Sequence, residues 1–229
     1  MVGKKEGGRL FDQWPDPYDQ WFTTPIGALI KKFERELLLD LLRPGHGEII
    51  LDAGCGTGIF TIDLLSFGPH IIGLDISLPM LRRAGEKAGR YPFEMVMGDI
   101  SKLPFQKNSF DKVVSVTAFE FIEDAKGALR ELFRVAKRGG CVVVATLNSL
   151  SPWASRRRAE AKRGHMLFDK AIFRSPDELR LIAPVDGVIK TAIHFQKADE
   201  PHVAGEIELE GREKGLNTGA FLVGRWEKP

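Results

Sequence analysis

EIILDAGCGTGIF, residues 48–60, decides the fold. Ile49 to Leu51 is an apolar run with the length of a buried strand, and Asp52 closes it. Gly54, Gly56 and Gly58 alternate through a turn, and a helical pattern begins behind them. Strand, glycine turn and helix together make a place where a small molecule can reach backbone amides with no Cβ in the way.

The pattern extends in both directions. Upstream, Leu29, Ile30, Phe33, Leu37, Leu38, Leu41 and Leu42 recur at helical spacing, which predicts an amphipathic helix over 27–42 ended by Pro44-Gly45. Downstream, the spacing predicts a helix over 58–67 and strands over 70–75, 93–97, 110–117 and 141–147. Helices over about 77–89 and 124–137 fall between them, with Ser77 as a candidate N-cap. Ser175, Pro176, Asp177 and Glu178 mark a further helix start, 185–195 reads as a sixth strand, and 220–226 reads as the last. Near-continuous apolar strands alternating with helices predict an α/β fold, with a parallel sheet covered on both faces. The chain reads as one domain over 10–229 behind a disordered tail at 1–9.

Two segments break the alternation. Leu10 to Pro25 carries Phe11, Trp14, Tyr18, Trp21 and Phe22, interrupted by Pro15 and Pro17, so it cannot be a regular helix throughout. With the helix behind it, it makes an N-terminal unit over 10–43. It reads either as a flap packed on the core or as a lid over a binding site, and the two are compatible. Residues 149–173 form an insertion after the fifth strand. They are basic, through Arg156, Arg157, Arg158, Lys162, Arg163 and Lys170, and aromatic or apolar through Trp153, Met166, Leu167 and Phe168. The arginine run could draw in an anionic group or simply be a solvated helical face.

The totals limit the function classes. The chain has 229 residues and a formal net charge of +2, so no uniform field draws it to nucleic acid or membrane. No apolar run approaches the roughly 20 residues of a membrane span. The first nine residues have no apolar core of a signal peptide. Cys55 and Cys141 lack CxxC partners, so neither a zinc site nor a disulfide framework is expected. A cytoplasmic location follows.

The glycine turn suits either a dinucleotide or S-adenosylmethionine. Ile59 stands where the dinucleotide fingerprint wants its last glycine. Asp52 would repel a pyrophosphate but attract an α-ammonium. Asp75 ends the second strand about 20 residues on, where an acid accepts hydrogen bonds from ribose hydroxyls in either class. Asp99, after the third strand, could hold an adenine amino group, with Ile100 as an apolar neighbour for the ring. Three acids at the carboxyl ends of three successive strands stand where open α/β sheets bind their ligands.

The motifs ILDAGCGTG (50–58), GLDIS (73–77), GDISKLPF (98–105), SFDKVVSVTAFEFIED (109–124) and LRELFRVAKRGGCVVVATLN (129–148) stand in order. By them the chain resembles class I S-adenosylmethionine-dependent methyltransferases, in the broad group that includes the ubiquinone/menaquinone-biosynthesis enzymes. The resemblance implies a Rossmann-like, doubly wound, seven-stranded and mostly parallel sheet whose last strand is antiparallel. It implies S-adenosylmethionine as cofactor. Asp52 and the loop of Gly54, Cys55, Gly56 and Gly58 would face its methionine portion. Asp75 would take the ribose, with Ile76 beside the adenine, and Asp99 and Ile100 would hold the adenine. Thr117 and Ala118 would lie by the methionine portion, and Tyr18 would be a lid residue.

Methyl transfer from a sulfonium is an in-line displacement with a neutral leaving group, so positioning and water exclusion can supply much of the acceleration. The sequence points to no catalytic base. Glu120 is nearest the expected site. His194 and His202 could reach an acceptor only if their region folded over the strands' carboxyl edge, and His46 belongs at the opposite edge. The expected acceptor is a small, partly hydrophobic or anionic molecule. RNA or protein methylation is the rival, with a non-catalytic cofactor-binding protein and a dinucleotide oxidoreductase behind it.

Overall fold

The computed structural model describes residues 10–164 and 166–229, so the tail expected over 1–9 lies outside the described residues. The helices are α1 (Pro15–Trp21), α2 (Pro25–Leu42), α3 (Thr61–Leu65), α4 (Leu78–Ala88), α5 (Ala125–Val135), α6 (Pro152–Lys162), α7 (Met166–Lys170), α8 (Pro176–Ile182) and α9 (Pro201–Glu213). The strands are β1 (Ile49–Ala53), β2 (His70–Asp75), β3 (Phe93–Met97), β4 (Phe110–Val116), β5 (Ala136–Leu147), β6 (Val188–Ala192) and β7 (Phe221–Glu227). They form one sheet in the order β3-β2-β1-β4-β5-β7-β6. The pairs among β1 to β5 are parallel, whereas β7 runs antiparallel to both β5 and β6. The last strand thus sits inside the sheet, one place from its edge.

Alternation along the strands builds two cores. Ile50, Val114 and Val143 face the layer containing Leu37, Leu38 and Leu41 of α2 and Leu64 of α3. Their neighbours Leu51, Val113 and Val142 face Leu129, Leu132 and Phe133 of α5 and Leu179 of α8. The two-residue period of a strand is enough to assign each side chain to its layer. From β1 the chain winds outward to β2 and β3, then returns to the other side of β1 as β4. The carboxyl ends of β1 and β4 therefore flank the topological switch point, where such sheets form a crevice.

Several boundaries differ from the sequence reading for identifiable reasons. The helix expected over 27–42 starts earlier, because Thr24 caps it, accepting from the Gly27 amide at 3.1 Å, and Pro25 takes its first position. Pro15 and Pro17 fall in the first turn of α1, where a missing amide costs nothing, so a short helix forms inside the aromatic segment. The helix expected to reach Lys137 stops at Val135. The turn 138–140 is drawn into pairing instead, because the Gly139 amide donates to Lys228 O and the Lys228 amide to Gly140 O. The insertion, unreadable by periodicity, contains α6, capped by Ser151 with Pro152 at its first position.

Asn148 ties the end of β5 to the start of β7. It is fully buried; its Nδ2 donates to the carbonyls of Asn217 and Gly219 at 2.8 and 2.7 Å, and its Oδ1 accepts from the Leu150 amide at 3.0 Å. Asn148→Ala leaves three backbone groups without that partner. The expected loss is about 3 kcal/mol of stability in urea unfolding, on the scale of buried unpaired polar groups. A loss under about 0.5 kcal/mol would contradict this account.

Candidate functional site

Gly54, Gly56 and Gly58 have φ of 82°, 53° and 74°, so the turn after β1 is left-handed at every second residue. Each position carries its own restriction. A Cβ on Gly54 would lie 2.6 Å from Ala118 Cβ and 3.1 Å from Ile100 Cδ1, and one on Gly58 would lie 3.0 Å from Ala84 Cβ. A Cβ on Gly56 would meet nothing within 4 Å. The turn is thus packed at both ends and open at its middle. The Gly54 contacts bring together residues from the ends of β1, β3 and β4.

The acids at the strand ends are held in place. Asp75 Oδ2 accepts from the Gly56 amide at 2.8 Å, and its Oδ1 from the Ser77 amide at 2.9 Å. Each oxygen keeps lone-pair capacity for a further donor, such as a ribose hydroxyl. Asp52 is buried and its Oδ2 accepts from Thr61 Oγ1 at 2.7 Å. Asp99 Oδ1 accepts from the Ser101 amide at 2.8 Å, which shapes the turn that presents Ile100, and Ile76 is half-buried beside Asp75. Cys55 is buried. Its thiol packs with Leu81, Ala84 and Phe93 under the loop, which leaves its backbone to face a ligand. The residues present therefore fit S-adenosylmethionine: a cradle open at Gly56, acceptor oxygens at Asp75, and an apolar wall at Ile100.

The aromatic segment lies over this turn. Asp12 accepts from Ser77 Oγ at 2.7 Å, Asp19 accepts from Thr57 Oγ1 at 2.7 Å and Lys87 Nζ at 2.6 Å, and Asp16 pairs with Arg83. Phe11 meets Phe121 edge-on at 4.8 Å, and Phe22 meets Phe60 at 6.1 Å. Tyr18 Oη lies 3.4 Å from Thr117 Oγ1. Thr117, at the end of β4, holds φ 48°, a region that β-branched residues rarely occupy. The segment packs on the glycine turn and on the end of β4, as a flap would and from where a lid would act.

Behind Tyr18 lies a second group of polar residues. Glu34 of α2 and Glu120 of the turn 119–121 are 7% and 1% exposed. Thr146 Oγ1 donates to Glu120 Oε2 at 3.1 Å. The Arg174 guanidinium, beneath, donates to the carbonyls of Phe119 and Ile122, each at 2.7 Å, and so fixes the turn. The arginine run divides. Arg156 pairs with Glu160 outside, Arg158 lies over Phe173, and Arg157 turns inward over the rings of Trp153 and Phe168 at 5.3 and 5.8 Å. The histidines stand elsewhere. His46 abuts Gly68 before β2, the His194 ring packs on Gly211 of α9, and His202 is exposed. Sequence reasoning missed Glu34 and the inward turn of Arg157. Both signals exist: Glu34 interrupts the apolar stripe of α2 one turn after Ile30, and Arg157 lies one turn after Trp153.

Burial raises four of these acids, Asp75 among them despite the amides it accepts from. Desolvation pushes Glu34 up to about 8, against the pull of Arg157. It pushes Glu120 up to about 7, against its hydrogen bonds and Arg157, and Asp52 up to about 7, against the Thr61 hydroxyl. Folded values above unfolded ones mean that the folded state binds the extra protons. Their stabilising contribution is full below the ordinary carboxylate range and is lost as pH rises through 7 to 8. The melting temperature of the ligand-free protein is therefore expected to fall between pH 6 and pH 9, and the fall to flatten in Glu34→Gln. An equal slope in wild type and variant would remove Glu34 from this account.

A family profile described as a methyltransferase domain matches residues 51–144. A malonyl-[acyl-carrier protein] O-methyltransferase of Pectobacterium atrosepticum is 30% identical over 220 residues, covering 86% of this chain and 79% of that one. A demethylmenaquinone methyltransferase of Corynebacterium kroppenstedtii is 36% identical over 141 residues, 61% of this chain and 59% of that one. Among solved structures, a SAM-dependent methyltransferase of Thermotoga maritima, described as a possible histamine N-methyltransferase, superposes with a TM-score of 0.69. It is 22% identical, over 97% of this chain and 99% of that one, and speaks for the fold alone. With the glycine turn, the strand-end acids and these relatives in view, the chain belongs to the S-adenosylmethionine-dependent methyltransferases.

Proposed function

We propose that this enzyme methylates a small, partly hydrophobic or anionic acceptor held beneath the N-terminal lid. The lid carries the reading. Tyr18 and its neighbours cover the ends of β1 and β4, and Glu34 and Glu120, which act electrostatically on Tyr18, are buried rather than set on a broad surface. A polymer would need an open approach to the reacting methyl. No described helix is long and apolar enough to cross a membrane. A cytoplasmic location belongs to this reading and is supported by Cys55 and Cys141, both free and buried.

S-adenosylmethionine, when bound, supplies an electrophilic methyl on a sulfonium whose departure leaves a neutral thioether. The chain's own residues do the rest. In this reading the backbone of Gly54, Cys55, Gly56 and Gly58 and the carboxyl of Asp52 hold the methionine portion. Asp75 and Ile76 hold the ribose and one side of the adenine, and Asp99 and Ile100 its edge and face. Thr117 and Ala118 line the passage towards the acceptor. Tyr18, whose hydroxyl burial and nearby carboxylates keep protonated well above its ordinary range, donates or accepts a hydrogen bond without becoming an anion. The lid excludes water, and alignment of nucleophile and methyl supplies the rate.

Incubation with methyl-labelled S-adenosylmethionine and separate metabolite, RNA and protein fractions tests the reading. Label is expected in the metabolite fraction. Label confined to RNA or protein would overturn it.

A further inference from the structure

The N-terminal segment grips α4 and the glycine turn by polar contacts and its other neighbours by apolar ones. Asp19 Oδ1 accepts from Thr57 Oγ1 at 2.7 Å and from Lys87 Nζ at 2.6 Å, and Lys87 Nζ also donates to Thr57 Oγ1 at 3.1 Å. Segment, glycine turn and α4 thus meet in one triangle. Asp12 accepts from Ser77 Oγ at 2.7 Å, and Asp16 pairs with Arg83. Asp16 and Asp19 are one turn apart on α1, as Arg83 and Lys87 are on α4, so the two helices set opposite charges against each other. Elsewhere the segment is held by rings: Phe11 stands edge-on to Phe121 at 4.8 Å and Phe22 to Phe60 at 6.1 Å, and Trp21 and Phe22 pack on the core.

The polar side is the loosely packed one. A cleft of about 390 Å³ lies between the segment and α4, lined chiefly by Asp12, Gln13, Asp16, Arg82, Arg83 and Glu86. The Asp16–Arg83 pair lies within reach of solvent, and such pairs hold weakly. Asp19 and Lys87 are more sheltered, at 21% and 26% exposed, so theirs is the stronger contact. Little apolar surface has to part for this seam to open; water and salt ions compete for what holds it.

The contacts end beside the residues assigned to the methyl donor. Thr57 stands between Gly56 and Gly58, Ser77 follows Ile76, and both are fully buried. Asp75 joins the two places by accepting from the Gly56 and Ser77 amides. Opening the seam therefore uncovers the glycine turn and the end of β2 together. The turn 22–24 supplies the joint, because α2 starts directly behind it and is fixed in the core. We infer that S-adenosylmethionine enters and its product leaves through the seam between α1 and α4, and that Asp19 sets the residence time by holding Thr57 and Lys87 across it. Asp19 is a positioning residue in this role. The inference rests on the donor assignment under Proposed function and adds the donor's route.

Chase of labelled S-adenosylhomocysteine from its complex with the full chain, by excess unlabelled ligand, measures the exit rate. Asp19→Asn is expected to raise that rate about tenfold, through loss of a charged hydrogen-bond partner, and Lys87→Met about as much. The double variant is expected to fall well short of the product of the two effects, because both side chains serve one contact. Salt raised from about 0.05 to about 0.5 M is expected to speed exit from the wild type more than from Asp19→Asn. The Asp16→Cys/Arg83→Cys protein, bridged by a short bismaleimide, ties the seam shut covalently; Cys55 and Cys141 are buried and do not compete for the reagent. Bridging is expected to slow both entry and exit about tenfold or more, as closure of a gate must. Exit from Asp19→Asn at the wild-type rate, or unchanged exchange in the bridged protein, overturns this inference alone. Failure of the wild-type chain to bind S-adenosylhomocysteine overturns the donor assignment, and this inference with it.

Discussion

Asp75→Ala is expected to raise the dissociation constant for S-adenosylhomocysteine at least a hundredfold in isothermal titration and to abolish the thermal shift that the cofactor produces. Two losses combine. The ribose hydroxyls lose their acceptor; a hydrogen bond to a charged group contributes about 1.5–3 kcal/mol. The Gly56 and Ser77 amides also lose the carboxylate that fixes them, at 2.8 and 2.9 Å, so the middle of the glycine turn and the start of α4 are released together. Asp75→Asn separates the two effects. It keeps one acceptor oxygen for one of the amides and removes the charge, and an intermediate loss is expected. A thermal shift of wild-type size in Asp75→Ala would refute the assignment of the ribose to this residue.

The glycine turn offers the second large effect as a contrast between neighbours. Gly54→Ala combines a left-handed φ of 82° with a Cβ 2.6 Å from Ala118 Cβ, so both backbone and packing resist it. The conformational part is about 1–2 kcal/mol and the overpacking about 1–3 kcal/mol. Urea unfolding is expected to show a loss of several kcal/mol, about the sum of those two terms. Gly56→Ala has the conformational part alone, about 1 kcal/mol, because its Cβ meets nothing within 4 Å. Its methyl stands in the space assigned to the cofactor, so it is expected to fold normally and to bind S-adenosylhomocysteine at least tenfold more weakly. Unimpaired binding by Gly56→Ala would show that the cofactor does not approach the loop there.

Most of the sheet was legible because its central strands are apolar on both faces and glycine or proline lies just before or after several of them. The acids of the proposed donor site were legible in their position: Asp52, Asp75 and Asp99 stand at strand ends, and a strand end is local information. The edge was less clear. The strand expected over 185–195 is five residues long, Val188–Ala192, because the chain leaves the ladder at Ile193 with φ 66°. Inward-facing Glu34 and Arg157 were the hardest to read. A charged residue on a helix is usually solvated, and only its helical register relative to Ile30 or Trp153 says otherwise. The fold brings the two together across more than a hundred residues of sequence, which periodicity cannot report. Thr24-Pro25 and Ser151-Pro152 are capping signals that would have placed the starts of α2 and α6.

Glu34, Glu120 and Arg157, which act on one another electrostatically, come from three separate places: α2, the turn after β4, and α6. Of the three, only Glu120 lies within residues 51–144, the span shared with the methyltransferase-domain profile. Glu34 and Arg157 come from segments that decorate the sheet without contributing a strand to it. Side chains on these two helices can therefore be exchanged without disturbing a strand, whereas a change in the glycine turn strikes the packing of Gly54 on Ala118 and of Gly58 on Ala84.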